Sequence, residues 1–266
     1  MKQRFTDQMN QEVVINFPPR RIISLVPSQT ELLFYFGLEE EVVGITKFCV
    51  HPQKQFKTKP RIGGTKTFHF DKIAALQPDL IIGNKEENQK EHIEQLQVDY
   101  PVWMSDIKTL DDALDMIRQL GQLTNKEQIA DQLVVKLQHN FQELKDMVAD
   151  QATKSVAYLI WQNPYMVAAT DTFINHLLKR VGFNNVFQNK DRYPVVSEEA
   201  LRNAAPEILL LSSEPFPFKE KHVADLQKIC PDTVIKLVDG ELFSWYGNRL
   251  LYAIPYFLNL RNEILK

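Results

Sequence analysis

The side chains able to bind metals or carry protons are spread thinly along this chain. Its six histidines, His51, His69, His92, His139, His176 and His222, form no HxxxH or HExxH pair, so none share a helix face at metal-ligand spacing. Cys49 and Cys230 lack CxxC spacing, which argues against a zinc site and a disulfide; two reduced, buried thiols are expected. Lys66 and Thr67 follow two glycines in RIGGTKT (61–67), but the stretch lacks the GxxxxGK[ST] spacing that cradles phosphates. No Gly-x-Ser-x-Gly elbow surrounds Ser28. In SLVPSQTELLFYFG (24–37), Ser28 and Glu31 instead read as a helix-capping box, with Gly37 as the stop. No acid–base pair or metal-ligand cluster emerges that would support an enzyme.

Loop aromatics carry the better signal. Trp161 follows directly on the apolar run SVAYLI, and Trp245 and Tyr246 sit in LFSWYGNRLL, between a strand and the last helix. A tryptophan in a loop at a strand end is suited to a large flat ligand, although a core role is equally open to it. His51 and His69 lie in loops next to strand–helix units, where open α/β sheets bind ligands. The other four histidines fall in helical stretches and read as surface or packing residues.

Those loops need a frame, and the chain supplies one by alternation. RIISLV, EVVGIT, the LIIG of FDKIAALQPDLIIG and YPVWMS read as strands separated by helices, the grammar of a mostly parallel sheet flanked by helices. From Thr109 the pattern turns helical. Thr124-x-x-Glu127 reads as a second capping box, opening a run without proline or glycine to about Asp150 that is apolar at Ile129, Leu133, Leu137, Phe141 and Leu144. The alternation then resumes with SVAYLIW, DTFINHLLKRVG, ALRNAAPEILLLSS and DTVIKLV. DKIAALQPDLII (71–82) and EALRNAAPEILL (199–210) also rhyme, Asp71 and Glu199 each standing seven residues before a proline. The expected architecture is α/β: an N-terminal lobe (1–108), a helical region with one bridging helix (109–150), and a C-terminal lobe (151–266).

With 266 residues, 44% apolar, 24% charged and a formal charge of −3, the chain has an ordinary globular composition and no electrostatic footprint for nucleic acid. No stretch approaches a membrane span. Residues 1–21 contain no apolar core of signal-peptide length, so the chain as written is expected in the cytoplasm.

PPRRIISLVPSQTELLFYFGLEEEVVGIT, PRIGG, LQPDLIIG, the long helix, PYMVAATDTFINHLLKRVGFNNVF and VSEEALRNAAPEILLL follow in an order that resembles the substrate-binding proteins of ABC importers for cobalamin, heme and ferric siderophores. The resemblance covers nearly the whole chain and is nearest the cobalamin branch. It implies a monomer that binds without catalysis and without a resident cofactor. A corrinoid, or alternatively a ferric siderophore, would lie between two lobes joined by a rigid helix. A cytosolic enzyme or sensor on the same scaffold is the rival reading. His51 falls where the cobalamin branch places an aromatic, and its imidazole could approach the metal. Trp161, Trp245 and Tyr246 fall in cleft loops, and Lys66 and Arg192 are available for polar groups. Heme-binding members carry a tyrosine where this chain has Gly64, which speaks against heme. Asp71 and Glu199 match the acids that dock onto an ABC permease, although Asp71 is shorter than the usual Glu. Family members are normally exported, which sets them apart from the cytoplasmic location expected here.

Overall fold

The computed structural model describes residues 1–265. They group into two units, one of Met1–Ile107, Asp111–Lys136 and Tyr246–Arg249, the other of Lys108–Leu110, Leu137–Trp245 and the residues from Leu250 on.

The first unit opens with an antiparallel hairpin of β1 (Lys2–Thr6) and β2 (Glu12–Asn16). There follow β3 (Ile22–Ser24), α1 (Pro27–Tyr35), β4 (Val42–Ile45), α2 (Gln53–Thr58), α3 (Phe70–Leu76), β5 (Leu80–Asn84), α4 (Lys90–Asp99), β6 (Val102–Ser105) and α5 (Leu110–Leu123). β3 to β6 form one parallel sheet in the order β4-β3-β5-β6. β5 and β6 are buried at every position, as expected of strands covered on both faces. The alternation of the sequence thus becomes a parallel α/β sheet. The hairpin escaped the sequence reading, although β2 alternates, with Val13 and Ile15 buried and their neighbours exposed.

Two capping expectations are corrected. α1 starts two residues earlier than a Ser28 cap requires: Val26 is the N-cap, Pro27 the first helical residue, and no side chain caps the helix. Proline's fixed φ and missing N–H suit that first position, so Ser28 and Glu31 are carried into the helix and buried. The stop is as expected. Gly37 takes φ 75, its amide donates to Phe34 O and that of Leu38 to Leu33 O, a Schellman ending. Thr124 likewise caps nothing downstream, since its hydroxyl donates to Leu120 O at the end of α5. The long helix, α6 (Glu127–Val148), begins after Asn125 with φ 58. Its 22 residues span about 33 Å at 1.5 Å each. Leu133, Leu137, Phe141 and Leu144 are buried along it, and it passes from the first unit to the second after Lys136.

The second unit comprises β7 (Lys154–Trp161), β8 (Tyr165–Val167), α7 (Phe173–Arg180), β9 (Phe183–Asn185), β10 (Val195–Val196), α8 (Glu198–Ala204), β11 (Ile208–Ser212), α9 (Glu220–Ile229), β12 (Val234–Val238), α10 (Gly240–Ser244) and α11 (Leu250–Leu265). β7, β11 and β12 run parallel. β9 adds in parallel along the start of β7, while β8 pairs antiparallel with its end and carries β10. The repeat seen in the sequence is also structural. α3 and α8 each have seven residues and end on a left-handed non-glycine, Gln77 at φ 45 and Ala205 at φ 41. In each case a proline follows and leads into a fully buried strand.

Candidate functional site

In the first unit the carboxyl ends of the sheet are polar and closed to solvent. Ser24, Asn84 and Ser105 end β3, β5 and β6, and Thr46 follows β4; all four are at most 1% exposed. Buried polar groups must find partners, and the first turns of α1 supply them. Thr30 Oγ1 lies 2.7 Å from Ser24 Oγ. Gln29 Nε2 donates to Ser105 Oγ, which also accepts from Asn84 Nδ2 at 2.9 Å. Gln29 Oε1 is buried with no hydrogen-bond partner. Cys49 Sγ sits 3.1 Å from the hydroxyls of both Thr30 and Thr46. Burial pushes its thiol up, so it stays protonated and behaves as a packing residue, as expected from sequence. Cys230 is also free and buried.

Two loops above this floor are stapled together. Asn88 Oδ1 accepts from Asn84 N at 2.8 Å, and Asn88 Nδ2 donates to Thr65 O at 2.9 Å. Asn84 Oδ1 accepts the amides of Glu86 and Glu87. Lys66, exposed, donates from Nζ to Glu86 O at 2.5 Å. Burial pushes the Glu87 carboxyl up, and neighbouring Glu86 adds to this while Lys66 opposes it. His51 is half-buried just before α2. Tyr246 is 6% exposed. Its segment is held to α1 by Arg249, which donates from Nε and Nη2 to the two Glu31 carboxylate oxygens at 2.8 and 2.9 Å.

The second unit holds the other candidates. Trp161, last residue of β7, is 39% exposed, and its ring lies 5.7 Å from that of Phe216. Trp245 is 6% exposed; its Nε1 donates to Glu214 Oε1 at 3.0 Å, an oxygen that also accepts from Ser244 Oγ at 2.6 Å. Arg192 stands 3.5 Å from Asp171, which also receives Lys108 Nζ at 2.9 Å. That hydrogen bond from Lys108, with the charges of Lys108 and Arg192, holds the Asp171 carboxyl below its usual range. Asp71 and Glu199 are exposed and each is the second residue of its helix, α3 and α8.

Sequence reasoning placed His51 and His69 in loops beside strand–helix units of the first half but missed the polar floor at the carboxyl ends of the sheet. A linear reading passes over the residues of that floor, because Ser24 only interrupts the apolar run RIISLV while Asn84 and Ser105 only close theirs. Among the described residues, no group of three or more His, Cys, Asp or Glu is placed to hold a metal ion. No helix among them is long and apolar enough to cross a membrane.

Residues 22–231 match the family described as Periplasmic binding protein. The vitamin B12-binding protein of Vibrio campbellii is 27% identical over 199 residues, covering 74% of this chain and 72% of its own. The crystal structure of the periplasmic vitamin B12 binding protein of Vibrio cholerae superposes with a TM-score of 0.80 at 23% identity, covering 94% of this chain and all of that one (100%). The apo periplasmic heme-binding protein from Roseiflexus sp. RS-1 gives the same TM-score, 0.80, at 22% identity, covering 92% and 99%. At such identities the two structures speak for the fold alone.

Proposed function

Because the chain belongs to the periplasmic binding protein family, we propose that it is the ligand-binding, non-catalytic component of an ABC importer, and that its ligand is a corrinoid. The observation that carries the ligand reading is the sequence match to a protein named for vitamin B12 over most of both chains. Gly64 supports it against heme, since a glycine offers no phenolate to an iron.

The contacts assigned to the ligand are His51, Lys66, Trp161, Arg192, Trp245 and Tyr246. Trp161 and Lys66 have accessible surface for it: the indole suits the broad apolar face of a corrin, and the ammonium its amide fringe. Trp245 and Tyr246, nearly buried, would offer ring edges and back the exposed groups. Arg192, steadied by Asp171, would meet polar or anionic substituents. His51 is the side chain able to bring an imidazole to the metal. Asp71 and Glu199 are assigned to the permease, and their equivalent exposed places on α3 and α8 support this reading. The working form is a monomer.

Calorimetry and visible absorbance with dicyanocobinamide, cyanocobalamin, hemin and a ferric hydroxamate test the reading. A single saturable event with a corrinoid is expected. Heat from the ferric hydroxamate or hemin, with none from either corrinoid, would replace the assigned ligand.

A further inference from the structure

We propose that the loop between β11 and α9 is a strap that positions both ligand-facing tryptophans of the second unit, Glu214 holding Trp245 by its indole N–H and Phe216 bracing the ring of Trp161. Glu214 and Phe216 are thus positioning residues, acting through the two indoles. The inference rests on the ligand reading above, which assigns those indoles to the ligand.

The strap, residues 213–219, is fastened along its length. At its start Ser212 Oγ, which receives the Tyr158 hydroxyl at 3.2 Å, donates to Glu214 O at 2.5 Å. Ser213 N donates to Val238 O at 3.0 Å, and Ser213 Oγ accepts Gly240 N at 2.9 Å, which binds the loop to the end of β12 and the start of α10. In its middle Phe216 N donates to Ile160 O at 3.3 Å, next to Trp161. At its end Lys219 N donates to His222 Nδ1 at 2.8 Å. Pro215 and Pro217 stand on either side of Phe216, and each fixes the backbone φ at its own position.

Two side chains of this frame reach the tryptophans. Glu214 Oε1 accepts from Trp245 Nε1 at 3.0 Å, and a carboxylate is a stronger acceptor than a neutral oxygen. The Phe216 ring meets that of Trp161 at 5.7 Å and 64°, an edge-to-face contact. It is backed in turn by Phe218 at 4.8 Å and His222 at 5.3 Å. An indole 39% exposed at a strand end has rotamers to lose when a ligand arrives, and bracing it beforehand removes that cost from binding. Gly240 lets the strap lie this close to α10, since a Cβ there would stand 2.6 Å from Glu214 Cγ and 3.1 Å from Glu214 N. Glu214 and Phe216 are two positions apart, so one loop sets the placement of two aromatic contacts that are far apart in sequence.

The test measures affinity of the full chain for dicyanocobinamide, or for the ferric hydroxamate if that is what the wild-type protein binds, well below the melting temperature of each variant. Glu214→Ala and Phe216→Ala are each expected to weaken binding about tenfold. Glu214→Gln, whose amide oxygen can still accept the indole N–H, should stay within about threefold of wild type. If the two residues act through the tryptophans, Glu214→Ala should cost little further affinity in a Trp245→Phe background, and Phe216→Ala little in a Trp161→Ala background. Full losses in those backgrounds, or unchanged affinity in both single variants, overturn the strap and leave the ligand reading standing. Wild-type protein that binds neither probe overturns both.

Discussion

Glu31 and Arg249 are 218 positions apart in sequence, and their side chains are only 10% and 13% exposed. A two-pronged pair in such a place is costly to break, because removing one partner strands the other charge away from water. Arg249→Met alone should cost about 3 kcal/mol, and Glu31→Leu combined with Arg249→Met should recover much of that loss. Urea unfolding of the singles and the double closes the cycle; additive losses would mean the two side chains do not act together. Glu87 makes the opposite kind of prediction. Its carboxyl is pushed up by burial, so above the ordinary glutamate range, about pH 4.3, the folded chain holds more protons than the unfolded one. Stability contributed by the neutral carboxyl is therefore lost as pH rises from there towards the folded-state value. Glu87→Gln should be more stable than wild type at pH 7 and indistinguishable from it below the glutamate range. Equal stability at pH 7 would mean the carboxylate is tolerated without penalty.

At the scale of elements, α3 and α8 are the informative pair. Both stop on a left-handed residue that carries a Cβ, Gln77 and Ala205, where glycine would be free of the steric cost. Ala205→Gly is expected to raise stability by about 0.5–1 kcal/mol, and Gln77→Gly by a similar amount, read from thermal or urea midpoints. A loss in both would show that their side chains, and not only the backbone turn, hold these stops. These two helices were legible from the spacing of an acid, an apolar stripe and a proline. The starts of α1 and α6 were misread for a shared reason: a hydroxyl three residues before a glutamate satisfies the capping pattern whether or not the backbone has already begun to coil. At α1 the proline decided the start, and at α6 the left-handed Asn125 did.

For the whole molecule the prediction concerns separable functions. Asp71→Ala with Glu199→Ala alters one exposed carboxylate on each of two matching helices. Charges of this sort steer and register a partner more than they hold it. The double variant should bind dicyanocobinamide with wild-type affinity while losing capture by the cognate permease reconstituted in lipid. Retained capture would remove these acids from the docking assignment. Wild-type protein and double variant should also be stabilised alike by ligand, by about 2.7 kcal/mol at a hundredfold excess over Kd.

What depends on neighbours along the chain could be read from the order of residues. Alternating apolar runs and helical stripes specified a parallel α/β frame, the Gly37 stop and the doubled helix–proline–strand segment, because hydrophobic periodicity and backbone stereochemistry act within a few residues. The order of those segments carried the family. Tertiary structure alone decided which polar side chains meet. Ser24, Asn84 and Ser105 converge because three parallel strands end at one edge. Glu31 reaches Arg249, Trp245 is drawn under Glu214, and Phe48 is left outside, with its ring beside Gly64. Such pairings are set by how strands are ordered and loops return, and no local pattern encodes the distance between residues that only the folded chain brings together.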